Sequence, residues 1–240
     1  ITGGTGFIGR HLSAQAMAHG WQVIVLTRDT ASAAGRLPAG IRLIDSLDRL
    51  TQGEPVDAVV NLAGEPLAAG RWTEARKQKF IDSRVATTQA LYQFFAAREQ
   101  RPQVLISGSA IGFYGAGNGQ DKPVDESAGA VDNFSHQLCQ KWEQSAAPFE
   151  SLGTRLIYLR TGIVLGEKGA LAKMLPPFKF GLGGPVGDGQ QWMPWIHIDD
   201  MVALILHSVD QSDLSGPVNA TAPNPVRNRE FTRQLGAVLH

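Results

Sequence analysis

The sequence has almost no cysteine and no excess of either charge. Cys139 is the only cysteine among 240 residues, so an internal disulfide is excluded and we expect a reducing compartment. Twenty-two basic residues balance 22 acidic ones, which gives no electrostatic reason to expect binding to nucleic acid or to an anionic membrane. No apolar run approaches the roughly 18 residues of a membrane-spanning helix, and no signal peptide is visible. These absences predict a soluble, cytoplasmic protein.

Both ends of the sequence lack the residues that usually complete a strand or a helix. Only Ile1 and Thr2 precede the first glycine turn, where a first strand normally has several apolar residues, and there is no initiator methionine. Residues 237–240 are typical of the end of a helix but include no capping residue. We therefore expect the chain to be a fragment of a longer protein.

Glycine is concentrated at the start of the chain. Residues 1–10, ITGGTGFIGR, satisfy the spacings GxxGxxG and GxGxxG together. Residues 11–18 have helical spacing and are followed by Gly20, and residues 21–26 are typical of a buried strand. A glycine loop between a strand and a helix lets backbone N–H groups approach a pyrophosphate. The segment therefore predicts half of a dinucleotide-binding fold, although a purely structural glycine turn remains an alternative.

The residues after the second strand usually select the cofactor. An acidic residue there binds the ribose hydroxyl of NAD, whereas an arginine accommodates the 2′-phosphate of NADP. The strand is followed by Thr27 and Arg28, so the sequence predicts NADP or NADPH, with both residues at the phosphate. The alternative is that Arg28 is only a solvated charge and that Asp29 binds the ribose.

Strands and helices alternate along the rest of the chain. This order predicts an α/β fold, a Rossmann-type doubly wound parallel sheet, with a small C-terminal substrate lobe. We place an NADP-binding domain at 1–165 and a smaller, interleaved substrate lobe at 166–240. The predicted elements are strands at 41–45, 56–65, 103–107 and 155–160, and helices at 73–98 and 134–150.

Several residues at predicted strand ends could serve a ligand. Ala63 and Gly64 end one strand and would let backbone approach a ligand, unless the glycine only makes the turn. Arg84 could face the cofactor diphosphate or could be an ordinary solvent-facing arginine. Phe178 and nearby tryptophans could line an apolar pocket or pack in the core. No cluster of residues predicts a metal site.

Six segments together resemble the extended short-chain dehydrogenase/reductase superfamily of NAD(P)-dependent epimerases and dehydratases. The resemblance covers the whole chain and is strongest to the "epimerase family protein" branch, whose members continue into a short C-terminal domain, so we expect the longer protein to continue beyond this sequence. The segments are TGGTGFIG at 2–9, NLAGE at 61–65, SGSAIGFYG at 107–115, KWE at 141–143, LRTGIVL at 159–165 and WIHIDD at 195–200.

The resemblance implies a role for each matching residue. Ser109 corresponds to the serine that binds the substrate oxygen, Arg84 would lie near the cofactor, and Val164 would lie by the nicotinamide. Thr27 and Arg28 would contact the 2′-phosphate. The residues implied at the diphosphate are Gly3, Thr5, Gly6, Phe7 and Ile8, and those along the adenosine are Leu62, Ala63 and Gly64.

The sequence departs from the superfamily at its catalytic pair, Tyr-x-x-x-Lys. In that pair the lysine lowers the tyrosine pKa so that a proton moves as hydride is transferred. Four residues before Lys141 stands Gln137, whose amide cannot act as an acid. His136 or Tyr114 could take its place, with Lys141 binding the ribose.

Two functions follow. The first is an NADP-dependent oxidoreductase or epimerase-like enzyme with a rearranged proton donor and an unknown small-molecule substrate. The second is a non-catalytic NADP(H)-binding regulatory or scaffold protein. A homodimer through helices 73–98 and 134–150 is implied by the superfamily.

Overall fold

The computed structural model describes residues 1–68, 70–115 and 123–239. The helices are α1 (Phe7–Ala18), α2 (Thr30–Ala34), α3 (Glu74–Ala96), α4 (Phe134–Ala146), α5 (Ala170–Lys179), α6 (Ile198–Asp210) and α7 (Asn228–Leu239). The strands are β1 (Ile24–Leu26), β2 (Arg42–Ile44), β3 (Ala58–Asn61), β4 (Val104–Ala110), β5 (Arg155–Thr161), β6 (Ile163–Leu165), β7 (Trp192–Met193), β8 (Trp195–His197), β9 (Gly216–Ala220) and β10 (Val226–Arg227). None of the described helices is long and apolar enough to cross a membrane.

A parallel sheet organises the chain. β1 pairs with β2, and β3, β4, β5 and β9 pair in that spatial order. Thr2 connects these two groups, because it forms parallel bridges to both Leu26 and Asn61. The order across the sheet is therefore β2, β1, residues 1–2, β3, β4, β5, β9. This order confirms the predicted Rossmann-type sheet and places its switch point, where ligands bind in such folds, between residues 1–2 and β3.

Helices cover both faces of this sheet. Consecutive strand residues point to opposite faces of a sheet. Because helices cover both faces of this sheet, β3, β4 and β5 are apolar on both sides. One face, with α1 and α6, buries Leu12, Ala16, Val60, Ile106, Ile157, Met201 and Ile205. The other, with α3 and α4, buries Val59, Leu91, Phe95, Leu105, Ala146 and Leu156.

Several predicted boundaries are corrected by the structure. The first helix begins at Phe7, at the end of the glycine loop, and β1 and β3 are shorter than predicted. α3 has the predicted N-cap, since Thr73 Oγ1 accepts a hydrogen bond from Arg76 N at 3.4 Å. α4 ends at Ala146 and continues as a 3-10 helix (Ala147–Leu152), which has a proline in its first turn.

The chain after residue 165 contributes to two parts of the molecule. α6 packs beside α1, and β9 extends the parallel sheet. Two short pairs, β6 with β8 and β7 with β10, stand beside α5 and α7. The predicted division at residue 165 stays a prediction.

Candidate functional site

The glycine loop is a tight turn that leads directly into α1. Gly3 has φ +65°, and Gly6 N donates to Gly3 O at 2.9 Å. Gly6 is the N-cap of α1 and supplies no side-chain hydrogen bond to it. The first N–H groups of α1, with the positive end of its dipole, are thus left without a side-chain cap, as an anion site at a helix N-terminus requires.

Close backbone packing holds this loop in place. A Cβ at Gly9 would lie 2.3 Å from Gly3 O and 2.6 Å from Gly4 Cα. A Cβ at Gly3 would lie 2.6 Å from the carbonyl oxygen of Leu62, at the end of β3. The loop therefore packs directly against the end of β3, so both border the crevice that such folds have at their switch point, and side chains are excluded from both contacts.

A buried hydrogen-bond chain fixes the β3 wall. Ala63 N donates to Thr2 Oγ1 at 3.2 Å, and Thr2 Oγ1 donates to Asn61 Oδ1 at 2.5 Å. Asn61 Nδ2 donates to Thr88 Oγ1 on α3 at 2.8 Å. Since Thr2, Asn61 and Thr88 are all buried, the chain joins the sheet to α3 beneath the crevice.

Arg84 lies at the same end of β3 and is buried, which excludes the solvent-facing alternative. Its guanidinium donates to the carbonyls of Phe80 at 3.0 Å and Glu65 at 3.3 Å, and it stacks on the Trp142 ring at 4.8 Å. A Cβ at Gly64 would lie 2.9 Å from Arg84 Cζ. Burial lowers the pKa of Arg84. No carboxylate forms an ion pair with Arg84 in the described ranges, and the attraction of the Glu65 carboxylate raises the pKa of Arg84 less than burial lowers it.

Thr27 and Arg28 lie at the carboxyl end of β1. Thr27 N continues the pairing with Ile44 O at 2.9 Å, and Arg28 is exposed. Asp29 is the N-cap of α2, where its carboxylate accepts from Ser32 N at 2.8 Å. Asp29 is thus engaged as a helix cap, whereas the Arg28 side chain faces solvent at the edge of the crevice.

Val164 lies in β6, on the far side of the glycine loop. The residues after β6 pack on Phe7: a Cβ at Gly166 would lie 2.7 Å from the Phe7 ring. A Cβ at Gly169 would lie 3.0 Å from the same ring and 3.5 Å from Val164 O. The structure therefore brings Val164 and Phe7 close together. Their contacts with a cofactor stay predictions.

The end of β4 carries a buried ionic network. Ser109 Oγ donates to Glu143 Oε1 at 2.6 Å. Arg160 on β5 binds both carboxylate oxygens of Glu143, through Nε at 3.0 Å and Nη2 at 3.1 Å. Burial lowers the pKa of Arg160, but its bonds with Glu143 and Tyr114 outweigh burial and the pKa is raised overall. Since a carboxylate only accepts, the Ser109 proton points to Glu143 and not to a substrate oxygen.

Tyr114 belongs to the same network. Its hydroxyl donates to Asn219 Oδ1 at 2.6 Å and accepts from Arg160 Nη1 at 3.1 Å. Arg160 also binds Glu126 O at 3.1 Å, and the Glu126 carboxylate accepts from Asn219 N at 2.7 Å. Tyr114 is buried, and its hydroxyl proton is hydrogen-bonded to the side-chain amide oxygen of Asn219.

The face of α4 that packs on the end of β4 carries Ser135 and Cys139. The Cβ position of Gly112 lies 3.3 Å from Ser135 Cβ and 3.5 Å from Cys139 Sγ. Burial raises the pKa of Cys139 to about 11, so the thiol is neutral at pH 7. Lys141 is exposed, and two residues along a helix turn the side chain by about 200° from Cys139. Lys141 and Cys139 therefore lie on different faces of α4.

His136 is half-buried beside the 3-10 helix Ile111–Tyr114. Its Nδ1 lies 2.6 Å from Phe113 O, and because a carbonyl only accepts, Nδ1 carries the proton. This hydrogen bond engages Nδ1 and not Nε2.

Sequence reasoning missed the roles of Glu143, Arg160, Asn219 and Asn61. Glu143 and Arg160 lie inside the KWE and LRTGIVL segments, so the family resemblance already marked both positions. Their mutual contact depends on the packing of α4 against β5. No group of three or more metal-binding side chains is found in the described part of the chain.

Comparison with known proteins gives the family. The profile of the NAD-dependent epimerase/dehydratase family matches residues 1–220. The epimerase family protein YfhF of Bacillus subtilis is 36% identical over 241 residues, covering 100% of this chain and 79% of that protein. Epimerase family protein ML0860 of Mycobacterium leprae is 40% identical over 242 residues, covering 100% of this chain and 76% of that protein.

A solved structure is similar to this chain over nearly its whole length. The crystal structure of the human epimerase family protein SDR39U1 (isoform 2) with NADPH superposes with a TM-score of 0.84 at 33% identity. The match covers 99% of this chain and 78% of the human one.

Proposed function

The chain belongs to the NAD-dependent epimerase/dehydratase family, and on this premise we propose that it binds NADPH in the crevice between the glycine loop and the end of β3. The observation that carries the proposal is Arg84, a buried cation whose hydrogen bonds go to carbonyl groups and whose guanidinium stacks on an aromatic ring. A buried charge is costly unless it is paired, so an anionic group next to Gly64 would stabilise it. The human relative, whose crystal structure contains NADPH, supports the same cofactor.

The remaining residues of the crevice divide among the parts of the dinucleotide. The glycine loop and the start of α1 offer backbone N–H groups to the diphosphate. Arg28 and Thr27 serve the 2′-phosphate, and Val164 lies toward the nicotinamide. The diphosphate residues are Gly3, Thr5, Gly6, Phe7 and Ile8, and the adenosine residues are Leu62, Ala63 and Gly64.

The choice between NADPH and NADH rests on Arg28. Calorimetric titration should show NADPH binding that the substitution Arg28→Ala weakens by about tenfold or more, since a charge-assisted contact to phosphate is worth about 1.5–3 kcal/mol. NADH lacks the 2′-phosphate, so its affinity should not change in Arg28→Ala. Equal loss of both nucleotides would place Arg28 elsewhere, and no binding of either would refute the proposal.

For the chemistry beside the nicotinamide, we propose an oxidoreductase or epimerase-like activity without a Tyr-x-x-x-Lys pair. Bound NADPH would supply a hydride to the substrate. His136 is the better candidate for the proton: as an imidazolium it would donate the Nε2 proton to the substrate while Nδ1–H stays on the Phe113 carbonyl, whereas the Tyr114 hydroxyl is committed to Asn219. Lys141, which is exposed on α4, stays the candidate for the ribose.

A non-catalytic NADPH-binding protein is the second candidate. One observation favours it: the hydroxyl protons of Ser109 and Tyr114 are both bound within the protein. Turnover should be assayed as NADPH oxidation with simple ketones and, because epimerisation leaves no net change in the cofactor, as product formation from nucleotide sugars. Loss of turnover in His136→Gln but not in Tyr114→Phe, with NADPH affinity retained, supports the enzyme. Absence of turnover in a protein that binds NADPH supports the second candidate.

A further inference from the structure

The ends of β3 and β4 are connected through two large side chains, one from α3 and one from α4. A Cβ at Gly64, after β3, would lie 2.9 Å from Arg84 Cζ. Arg84 Cζ lies 4.8 Å from the centre of the Trp142 ring. A Cβ at Gly108, on β4, would lie 2.6 Å from Cζ2 of the same ring. Gly64, Arg84, Trp142 and Gly108 therefore form a continuous chain of contacts beside the crevice.

Trp142 contributes to this chain through the face of its ring and not through its N–H group. The residue is 7% exposed, and its Nε1 is buried without a hydrogen-bond partner among the described residues. A buried indole N–H usually has a partner, and one without a partner costs free energy. The tryptophan ring, however, attracts a cation more strongly than any other aromatic side chain. The contact with the Arg84 guanidinium offsets part of the cost of the unpaired N–H.

Arg84 is held from two directions. Its guanidinium donates to the carbonyls of Phe80 and Glu65, and the backbone N–H of Glu65 donates to Ser83 Oγ at 2.9 Å. These bonds join α3 to the segment that follows β3. The Trp142 ring restricts the same guanidinium from the side of α4. A long side chain that is already ordered binds an anion without a further loss of conformational entropy.

We propose that Trp142 is a positioning residue, which keeps the Arg84 guanidinium ordered for the diphosphate of the cofactor and so sets the affinity for the nucleotide. The inference rests on the proposed function, since it requires NADPH to bind next to Gly64. It adds a role for α4: the helix that carries His136 also determines how tightly the cofactor is held.

Calorimetric titration of Trp142 variants with NADPH and NADH tests this inference. Trp142→Leu should weaken both nucleotides about fivefold, the cost of ordering one long side chain on binding. The losses should be equal because the two nucleotides share the diphosphate. Trp142→Phe keeps an aromatic face and should stay within about twofold of wild type. Trp21→Leu is the matched control: Trp21 precedes β1, at the amino end of the sheet, and its loss should leave both affinities unchanged.

A double-mutant cycle shows whether Trp142 acts through Arg84. In a protein that already carries Arg84→Gln, the change Trp142→Leu should have no further effect on NADPH affinity, because the cation that the ring orders is gone. Thermal unfolding shows that each variant is folded. Trp142→Met provides a second non-aromatic variant if Trp142→Leu does not fold.

Four results would each overturn the inference. They are NADPH affinity of Trp142→Leu within twofold of wild type, equal losses in Trp142→Phe and Trp142→Leu, a loss for NADPH without one for NADH, and an undiminished loss in the Arg84→Gln protein. Any of these in a protein that binds NADPH refutes the role of Trp142 alone. Wild-type protein that binds neither nucleotide refutes the proposed function, and the role of Trp142 with it.

Discussion

Removing the buried carboxylate of Glu143 should lower the free energy of unfolding more than removing any exposed charge. The Glu143 and Arg160 side chains are only 11% and 5% exposed, and two hydrogen bonds of 3.0 and 3.1 Å join them. The substitution Glu143→Gln leaves the Arg160 charge buried without its counter-ion. It also removes an acceptor that holds Ser109.

The expected loss is about 3 kcal/mol of unfolding free energy, the lower end of the roughly 3–5 kcal/mol for breaking a buried ion pair. The lower end applies because Arg160 keeps its bonds to Tyr114 and to the Glu126 carbonyl, and the glutamine can still accept one bond. For a chain of this size such a loss lowers Tm by about 6–12 °C.

Urea unfolding and thermal melts of wild type and Glu143→Gln measure this loss. The matched control is Glu150→Gln, on an exposed glutamate just beyond α4, which should stay within about 0.5 kcal/mol of wild type. If the two variants have equal Tm values, the ion pair contributes no net stability and the reasoning from its burial is refuted.

Two further predictions concern the glycine loop and the thiol. The substitution Gly9→Ala should lower the free energy of unfolding by about 3 kcal/mol and abolish NADPH binding, because the new Cβ would meet the backbone of Gly3 and Gly4. The control Gly53→Ala, where nothing lies within 4 Å of the new Cβ, should change neither quantity. A stable Gly9→Ala variant that binds NADPH would contradict the packing argument. Burial raises the pKa of Cys139 from 9.0 to about 11, so the unfolded chain loses this proton first and stability should fall from pH 9 to pH 11 by up to about 2–3 kcal/mol. Urea unfolding across this pH range should show a shallower fall for Cys139→Ser, and an identical slope would contradict the assignment.

The order of elements could be predicted because each local pattern points to one structure. The glycine spacing before a helical segment and the apolar runs at 103–107 and 155–160 required no tertiary information to interpret. Element ends were harder, because a strand stops where its pairing stops. β1 and β3 are therefore shorter than their apolar runs.

The sequence did not determine the surroundings of single side chains, as Arg84 shows. Its spacing on α3 allowed either a ligand contact or a solvent-facing charge, and only the position of β3 and Trp142 buried it. Lys141 shows the same limit: counting along the chain aligned it with the lysine of the family, but only the structure shows that it is exposed and that Cys139, on another face of α4, packs near Gly112.

The sequence by itself determined the α/β order and the position of the glycine-rich turn before α1, because these depend on glycine spacing and on apolar periodicity within short segments. The tertiary structure alone decided which polar side chains are partners. Ser109, Glu143, Arg160 and Asn219 lie on four different elements, and their contacts exist only after α4, β4, β5 and β9 pack. Hydrogen bonds of about 3 Å between residues far apart in the chain depend on packing geometry, which no local pattern specifies.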